Sequence, residues 1–222
     1  MLSLAAILVL SYGLGAIPFS LLVAKSRGVD LRAHGSGNAG ATNAFRVLGA
    51  PFGALVFALD ALKGFGATYY VSQLRLGDET LSFLGPDADV WAMVLAGTAA
   101  MVGHVVTVWG ALFFGGWKGG KGVATGAGML IALIPIAVLA GLALFVLVVV
   151  TTRLVSLASI LAATSLPITV AIQRFAFDMP RAAPLWGFVI LVPLFILWTH
   201  RQNVRRLLDG TEPRVSDSAR TA

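Results

Sequence analysis

Residues Val123–Val150 read VATGAGMLIALIPIAVLAGLALFVLVVV, and the number of times this stretch enters a lipid bilayer decides the fold. It is apolar throughout, yet Pro135 and several glycines interrupt it. A helix needs about 20 apolar residues to cross a hydrocarbon core of about 30 Å. By length alone the stretch could cross once or fold back on itself, so the flanking charges have to choose.

Five other stretches are long and apolar, at about Leu2–Ala24, Pro51–Val71, Trp91–Leu112, Leu154–Ile172 and Leu185–Thr199. No Lys or Arg precedes the first, which therefore reads as a retained helix and not as a signal peptide. Cytoplasmic loops of membrane proteins collect Lys and Arg. With the N-terminus outside and Val123–Val150 as a re-entrant pair of half-helices hinged near Pro135, Lys25, Arg27, Arg32, Arg46, Lys118, Lys121, Arg153, Arg201, Arg205, Arg206, Arg214 and Arg220 fall inside. Only Arg75, Arg174 and Arg181 fall outside, and Lys63 lies within a span. A single crossing by Val123–Val150 would strand Arg201–Arg206 on the outer side. The expectation is an all-α integral membrane protein of about seven helices, five full spans plus the re-entrant pair. Its C-terminus is cytoplasmic, and residues 1–222 form one polytopic domain.

Composition agrees. Hydrophobic residues make up 58% of the 222 and charged ones 12%, with mean hydropathy +0.88, where soluble domains carry about 25% charged residues. The chain has no cysteine, which removes disulfides, thiolate metal sites and a cysteine nucleophile. Orientation in the membrane accounts for the excess of 16 Lys+Arg over 10 Asp+Glu, so no nucleic-acid partner is expected.

The polar residues gather in three inner stretches. Asp30–Arg46, DLRAHGSGNAGATNAFR, pairs hydroxyl and amide side chains with glycines, and Arg32 and Arg46 flank them. Such a segment turns many donors toward one point. A turn-rich connector with a helix cap at Thr42 or Asn43 is the plain alternative, but polar non-helical backbone beside a membrane usually lines a site. Gly115–Thr125, GGWKGGKGVAT, sets Lys118 and Lys121 among glycines directly before an apolar helix, the makings of an anion cradle. Gly115…Gly120-Lys121 fits the letters of a nucleotide-binding loop. Gly122 then stands where a Ser/Thr would hold magnesium and no strand precedes, so an NTPase is rejected. The third stretch, His200–Glu212, HRQNVRRLLDGTE, exceeds what a positive-inside anchor requires. Arg153 with Ser156 and Ser159 forms a weaker patch. Asp60 and Lys63, three apart in the second span, read as a mutually neutralising pair. No histidine opens an HxxxxD dyad, no inner carboxylate cluster suits paired magnesium ions, and no Gly-x-Ser-x-Gly elbow occurs.

These stretches together resemble the bacterial acylphosphate:glycerol-3-phosphate acyltransferase family. The similarity runs through Gly15-Ala16-Ile17-Pro18 with Lys25, Asp30-Leu31-Arg32 to GSGNAGATNAFR, Asp60-x-x-Lys63-Gly64, Gly103-His104, KGGKGVAT, Arg153-x-x-Ser156 and HRQNVRRLLDGTE. It departs at Thr107, where the family usually has proline, and at Val108–Trp117, about five residues longer than expected. That departure puts the role of His104 in question.

The resemblance implies transfer of a fatty acyl group from acyl phosphate to the 1-hydroxyl of glycerol-3-phosphate, giving lysophosphatidic acid and phosphate for phospholipid synthesis. It implies no cofactor and no metal, and a bacterial inner-membrane enzyme whose site faces the cytoplasm. Its partners are the two substrates and membrane lipids, and it is a monomer or weak oligomer. Ser36, Arg46, Lys118, His200 and Asn203 are the expected catalytic residues. Gly35, Gly37, Asn38, Thr42, Asn43, Gly119, Gly120, Lys121, Gly122 and Ser156 are expected to bind substrate, and Glu212, Asp60 and Lys63 to support them. The base is open between His200 and a phosphate oxygen of the donor, the latter slightly favoured. An acyl phosphate carries its own leaving group, so positioning and charge stabilisation suffice for the chemistry. A transporter of phosphate esters is the competing class, although no matching halves are visible. A lipid-binding scaffold without chemistry is a third.

Overall fold

The computed structural model describes residues 1–77, 80–178 and 182–212. Arg181, Arg214 and Arg220 of the basic count lie outside these described residues, within which every regular element is helical. Five apolar helical paths are long enough to cross a membrane: Leu2–Ser26, Ala50–Gln73, Ala88–Val105, Pro135–Thr152 and Val155–Phe175. A sixth appears if Pro184–Trp198 and Arg201–Leu208, bent by 62°, count as one span. The all-α integral membrane class read from the sequence holds.

The first path is broken. Helix α1 (Leu2–Gly15) gives way to α2 (Phe19–Ser26) around Pro18, which has no N–H to continue the ladder. The break leaves carbonyls without helical donors. The Thr107 hydroxyl donates to Ala16 O, and the Lys63 ammonium to Ile17 O at 2.7 Å. Next come α3 (Ala41–Leu48) and α4 (Ala50–Tyr69), then α5 (Ala88–Val105). The cap of α3 is Gly40, not Thr42 or Asn43.

The third span was expected to run to Leu112 but stops at Val105. Thr107 instead opens a short helix, α6 (Val108–Phe114), its hydroxyl accepting the Gly110 N–H at 2.9 Å. The left-handed Gly115 (φ 68°) ends it. Val106 bridges Lys118, and the Thr107 N–H donates to Trp117 O at 2.8 Å. The lengthened Val108–Trp117 segment is thus a loop closed at its neck, and the extra residues leave His104 beside the glycine–lysine loop.

The stretch Val123–Val150 breaks where Pro135 suggests, into α7 (Val123–Leu133) and α8 (Pro135–Thr152). The two are unequal, which corrects the picture of two half-helices. At about 1.5 Å per residue, α7 is about 16 Å long. Helix α8 meets the length and apolarity of a full span. Helices α9 (Val155–Phe175), α10 (Ala183–Thr199) and α11 (Arg201–Leu208) complete the chain.

Two compact units result, Met1–Leu133 and Ile134–Ala222. In lipid, apolar side chains gain little by meeting one another, so helices associate through small residues that admit close backbone approach. The first unit does this twice. A Cβ on Gly15 would collide with Ala100 O and one on Gly103 with Tyr12 O, which locks α1 to α5. A Cβ on Gly64 would collide with Thr125 O and one on Gly128 with Ala61 O, which locks α4 to α7. In the second unit, Gly141 of α8 meets α9, where a Cβ would stand 3.2 Å from Ala162 O.

Candidate active site

The loop before α3 is organised by one buried amide. Asn43 Oδ1 accepts the Ser36 N–H at 2.8 Å, and its Nδ2 donates to Leu31 O at 3.0 Å and His34 O at 3.1 Å. Only 1% of Asn43 is exposed, so its hydrogen-bonding capacity goes to the loop. Gly35 (φ +62°) and Gly37 (φ +67°) supply the left-handed turns that other residues resist. A Cβ on Gly35 would strike Asn43 Oδ1. Gly35 and Asn43 therefore shape the cradle, and the exposed Ser36, Thr42 and Arg46 with the half-buried Asn38 present their side chains from it.

Arg32 joins this loop to the second. Its guanidinium donates to Phe114 O, the last carbonyl of α6, at 2.6 Å, and to Gly116 O at 2.8 Å and Lys118 O at 2.9 Å beyond it. The two loops touch at glycines, for a Cβ on Gly40 would meet Gly120 Cα at 3.7 Å.

In the glycine–lysine loop two backbone amides are already committed. The Gly119 N–H donates to Val105 O at 2.9 Å and the Gly120 N–H to His104 O at 3.2 Å. Added Cβ atoms would collide with His104 O at Gly119 and with the His104 ring at Gly120. These glycines dock the loop on the end of α5. The donors left for an anion lie one step on. Gly122 (φ +79°) caps α7, and Gly126 is the residue whose N–H bonds back to Gly122 O at 2.8 Å. The N–H groups of Val123, Ala124 and Thr125 thus begin the helix without intrahelical acceptors, at its positive end.

A cavity of about 230 Å³ opens there, walled by Ser36, Asn38, Thr42, Asn43, Arg46, Lys121, the Gly122–Ala124 turn, Phe57, Asp60 and His104. Lys118 has an exposed side chain and does not line it. Asp60 and Lys63 are more than a neutralising pair in a span. Asp60 is 1% exposed and Lys63 3%, with Nζ 2.9 Å from Oδ1, and the same Oδ1 lies 3.5 Å from His104 Nδ1. A carboxylate and an imidazole on the cavity wall were absent from the sequence-derived substrate contacts. The isolated intramembrane charges were the signal that pointed to them.

In the second unit Ser156, Asn203, Arg206 and Glu212 converge. Asn203 Nδ2 donates to Glu212 Oε1 at 2.8 Å and Arg206 Nε to Oε2 at 2.7 Å. Burial alone would raise the carboxyl pKa, but the Asn203 and Arg206 donors outweigh it and hold the group at about 2. Ser159 bonds its own helix at Val155 O and takes no part. His200 is half-buried at the junction of α10 and α11, its Nδ1 3.0 Å from Ile196 O.

Residues 5–210 match the family model described as Glycerol-3-phosphate acyltransferase. The chain is 43% identical over 236 residues to the glycerol-3-phosphate acyltransferase of Chlorobium phaeobacteroides, covering 97% of each protein. It is 45% identical over 220 residues to that of Salinibacter ruber, covering 97% of this chain and 94% of the other. Among solved structures it is similar to PlsY (YgiH), an integral membrane glycerol 3-phosphate acyltransferase. The glycerol 3-phosphate form superposes with a TM-score of 0.66 at 36% identity, over 96% of this chain and 95% of that one. The lysophosphatidic acid form gives 0.66 at 35%, with the same coverage.

Proposed function

The chain belongs to the glycerol-3-phosphate acyltransferase family, and from that premise we propose that it draws its acyl group from acyl phosphate at the cytoplasmic face of a bacterial inner membrane. It is an acyltransferase that forms lysophosphatidic acid, and the transporter alternative is set aside. The observation that carries the donor assignment is the small cavity between the two loops. Arg46, Lys121 and the start of α7 give it positive potential, and Ser36 and Thr42 give it hydroxyl donors. At about 230 Å³ it is smaller than the roughly 300–1,000 Å³ that drug-sized ligands fill. It suits a phosphate-bearing head whose acyl tail lies outside among lipids.

In the reaction the 1-hydroxyl of glycerol-3-phosphate attacks the acyl carbon of the mixed anhydride. The bond from that carbon to the phosphate oxygen then breaks, and phosphate departs. A phosphate oxygen of the donor takes the hydroxyl proton, so the protein has no covalent step to perform. Its task is to hold two anions together and to offset the negative charge that builds on the carbonyl oxygen. Ser36 is the oxyanion donor in this reading, Arg46 and Lys121 neutralise phosphate, and the first amides of α7 complete the cradle. In the second unit, His200 and Asn203 contact a phosphate ester, with Glu212 setting Asn203.

The test is turnover by purified protein in lipid nanodiscs. Labelled glycerol-3-phosphate with acyl phosphate should yield lysophosphatidic acid and one equivalent of phosphate, whereas acyl-CoA alone should yield neither. Equal rates with acyl-CoA would overturn the donor assignment.

A further inference from the structure

We propose that His104 is a positioning residue for acyl-phosphate binding, set against the buried Asp60 carboxylate so that its ring and main chain hold the glycine–lysine loop in register. The proposal rests on the functional reading above and adds to it a part for two residues that face the cavity.

A continuous line of contacts supports it. Lys63 Nζ donates to Ile17 O at 2.7 Å, at the break between α1 and α2, and stands 2.9 Å from Asp60 Oδ1. That oxygen faces His104 Nδ1 at 3.5 Å. Nδ1 is fully enclosed and makes no hydrogen bond among the described residues, so the Asp60 carboxylate is the polar group it faces. A ring nitrogen lone pair pointed at a carboxylate oxygen would be repelled, so Nδ1 carries the proton and Asp60 fixes the tautomer. At the other end of the residue, His104 O accepts the Gly120 N–H at 3.2 Å. The Nε2 side of the ring packs so closely on Gly120 that a Cβ there would collide with it. Two residues on, Gly122 caps α7, whose first residues line the cavity. Register at Gly120 therefore sets where Lys121 and those residues stand. Burying an ion pair in a span is costly, and a rigid anchor for this loop is a use for it beyond mutual neutralisation.

The arrangement discriminates between substitutions. An Asn amide nitrogen takes the place of Nδ1, so His104→Asn keeps a donor for Asp60. His104→Gln places its amide near Nε2 instead and loses that donor. In detergent-purified full chain, His104→Ala and His104→Gln should raise KM for acyl phosphate about tenfold with kcat within about threefold. His104→Asn should stay within about threefold of wild type in both. Gly120→Ala, which pushes the ring from its other side, should reproduce the KM rise if His104→Ala does not fold. A merely structural histidine would lower Tm and the active fraction while leaving KM of the folded enzyme alone. Unchanged KM in folded His104→Ala overturns the proposal. So does an equal KM rise in Asn and Ala, or a kcat loss of about 100-fold in all His104 variants, which would make His104 the base. Failure of the wild-type chain to acylate glycerol-3-phosphate would instead sink the functional reading, a distinguishable result.

Discussion

Arg32 and Lys118, 86 positions apart, are joined by a hydrogen bond of 2.9 Å from the guanidinium to the main-chain carbonyl. With its bonds to Phe114 O and Gly116 O, this makes Arg32 the clasp between the two polar loops. Lysine's ammonium is a compact point charge without the planar fork that spans these three carbonyls. Arg32→Lys should destabilise the protein by roughly 1–3 kcal/mol, the worth of one or two charge-assisted bonds, read as a lower Tm in detergent. It should also raise KM for both substrates, and unchanged KM values would show that the loops hold together without it.

Ser36 and Asn43 lie in one loop and should fail differently. Ser36→Ala keeps the main-chain N–H that Asn43 accepts and removes only the hydroxyl facing the cavity. Its Tm should match wild type while kcat falls roughly 10²-fold, the scale of a lost oxyanion donor. Asn43→Asp keeps the acceptor but turns a charge toward Leu31 O and His34 O. That variant should lose stability as well as activity. Equal Tm values for the two would contradict the division of roles.

Close helix contact makes a sharper stability prediction. Gly64→Ala and Gly128→Ala drive a methyl into Thr125 O and Ala61 O, forcing α4 and α7 apart. Both should give little monodisperse protein. Gly13→Ala in α1 meets nothing within 4 Å and should be neutral or stabilising by about 0.5–1 kcal/mol. Size-exclusion profiles of the three variants decide the matter.

The C-terminal cluster should respond to pH in one direction. Glu212 has its pKa lowered to about 2 from 4.5, so its stabilising effect is complete above the ordinary value and is lost as pH falls through about 2. Glu212→Gln removes that contribution. Hydrogen exchange over residues 201–212 should be faster in the variant at pH 7, and the difference should shrink between pH 4.5 and 2. A difference that widens on acidification would reverse the assignment.

The asymmetry of basic residues makes a prediction about orientation. A re-entrant pair and two separate crossings by α7 and α8 give the same sidedness, so the unequal helices do not disturb it. Ser36→Cys, Lys121→Cys and Asn203→Cys should be labelled by impermeant thiol reagents from the cytoplasmic side, and Asp87→Cys from the other. Labelling of Asn203→Cys from outside would invert the last span.

Much of the fold was legible because membrane insertion is decided segment by segment. Apolar length sets which stretches cross, and Pro135 marks a break through its missing N–H, whereas the break at Pro18 inside Leu2–Ala24 was not read from the sequence. The polar stretches around Ser36, Lys121 and Asn203 stood out against an apolar background for the same reason. Small boundary errors, such as extending α5 to Leu112, arose where Thr107 caps a new helix inside an equally apolar run.

The sequence by itself determined the solvent this chain folds in, its helical class and the segments that carry its chemistry, since each depends on local composition and spacing. Tertiary structure alone decided which polar groups face the cavity and which are consumed in building it. Asn43, Gly119 and Gly120 read as ligand contacts, yet their donors go to carbonyls of the protein. Asp60 and His104, distant in sequence, meet on the cavity wall. The physical reason is that a buried donor must find an acceptor. Which carbonyl is orphaned nearby depends on where helices from remote parts of the chain end against one another, and no local pattern records that.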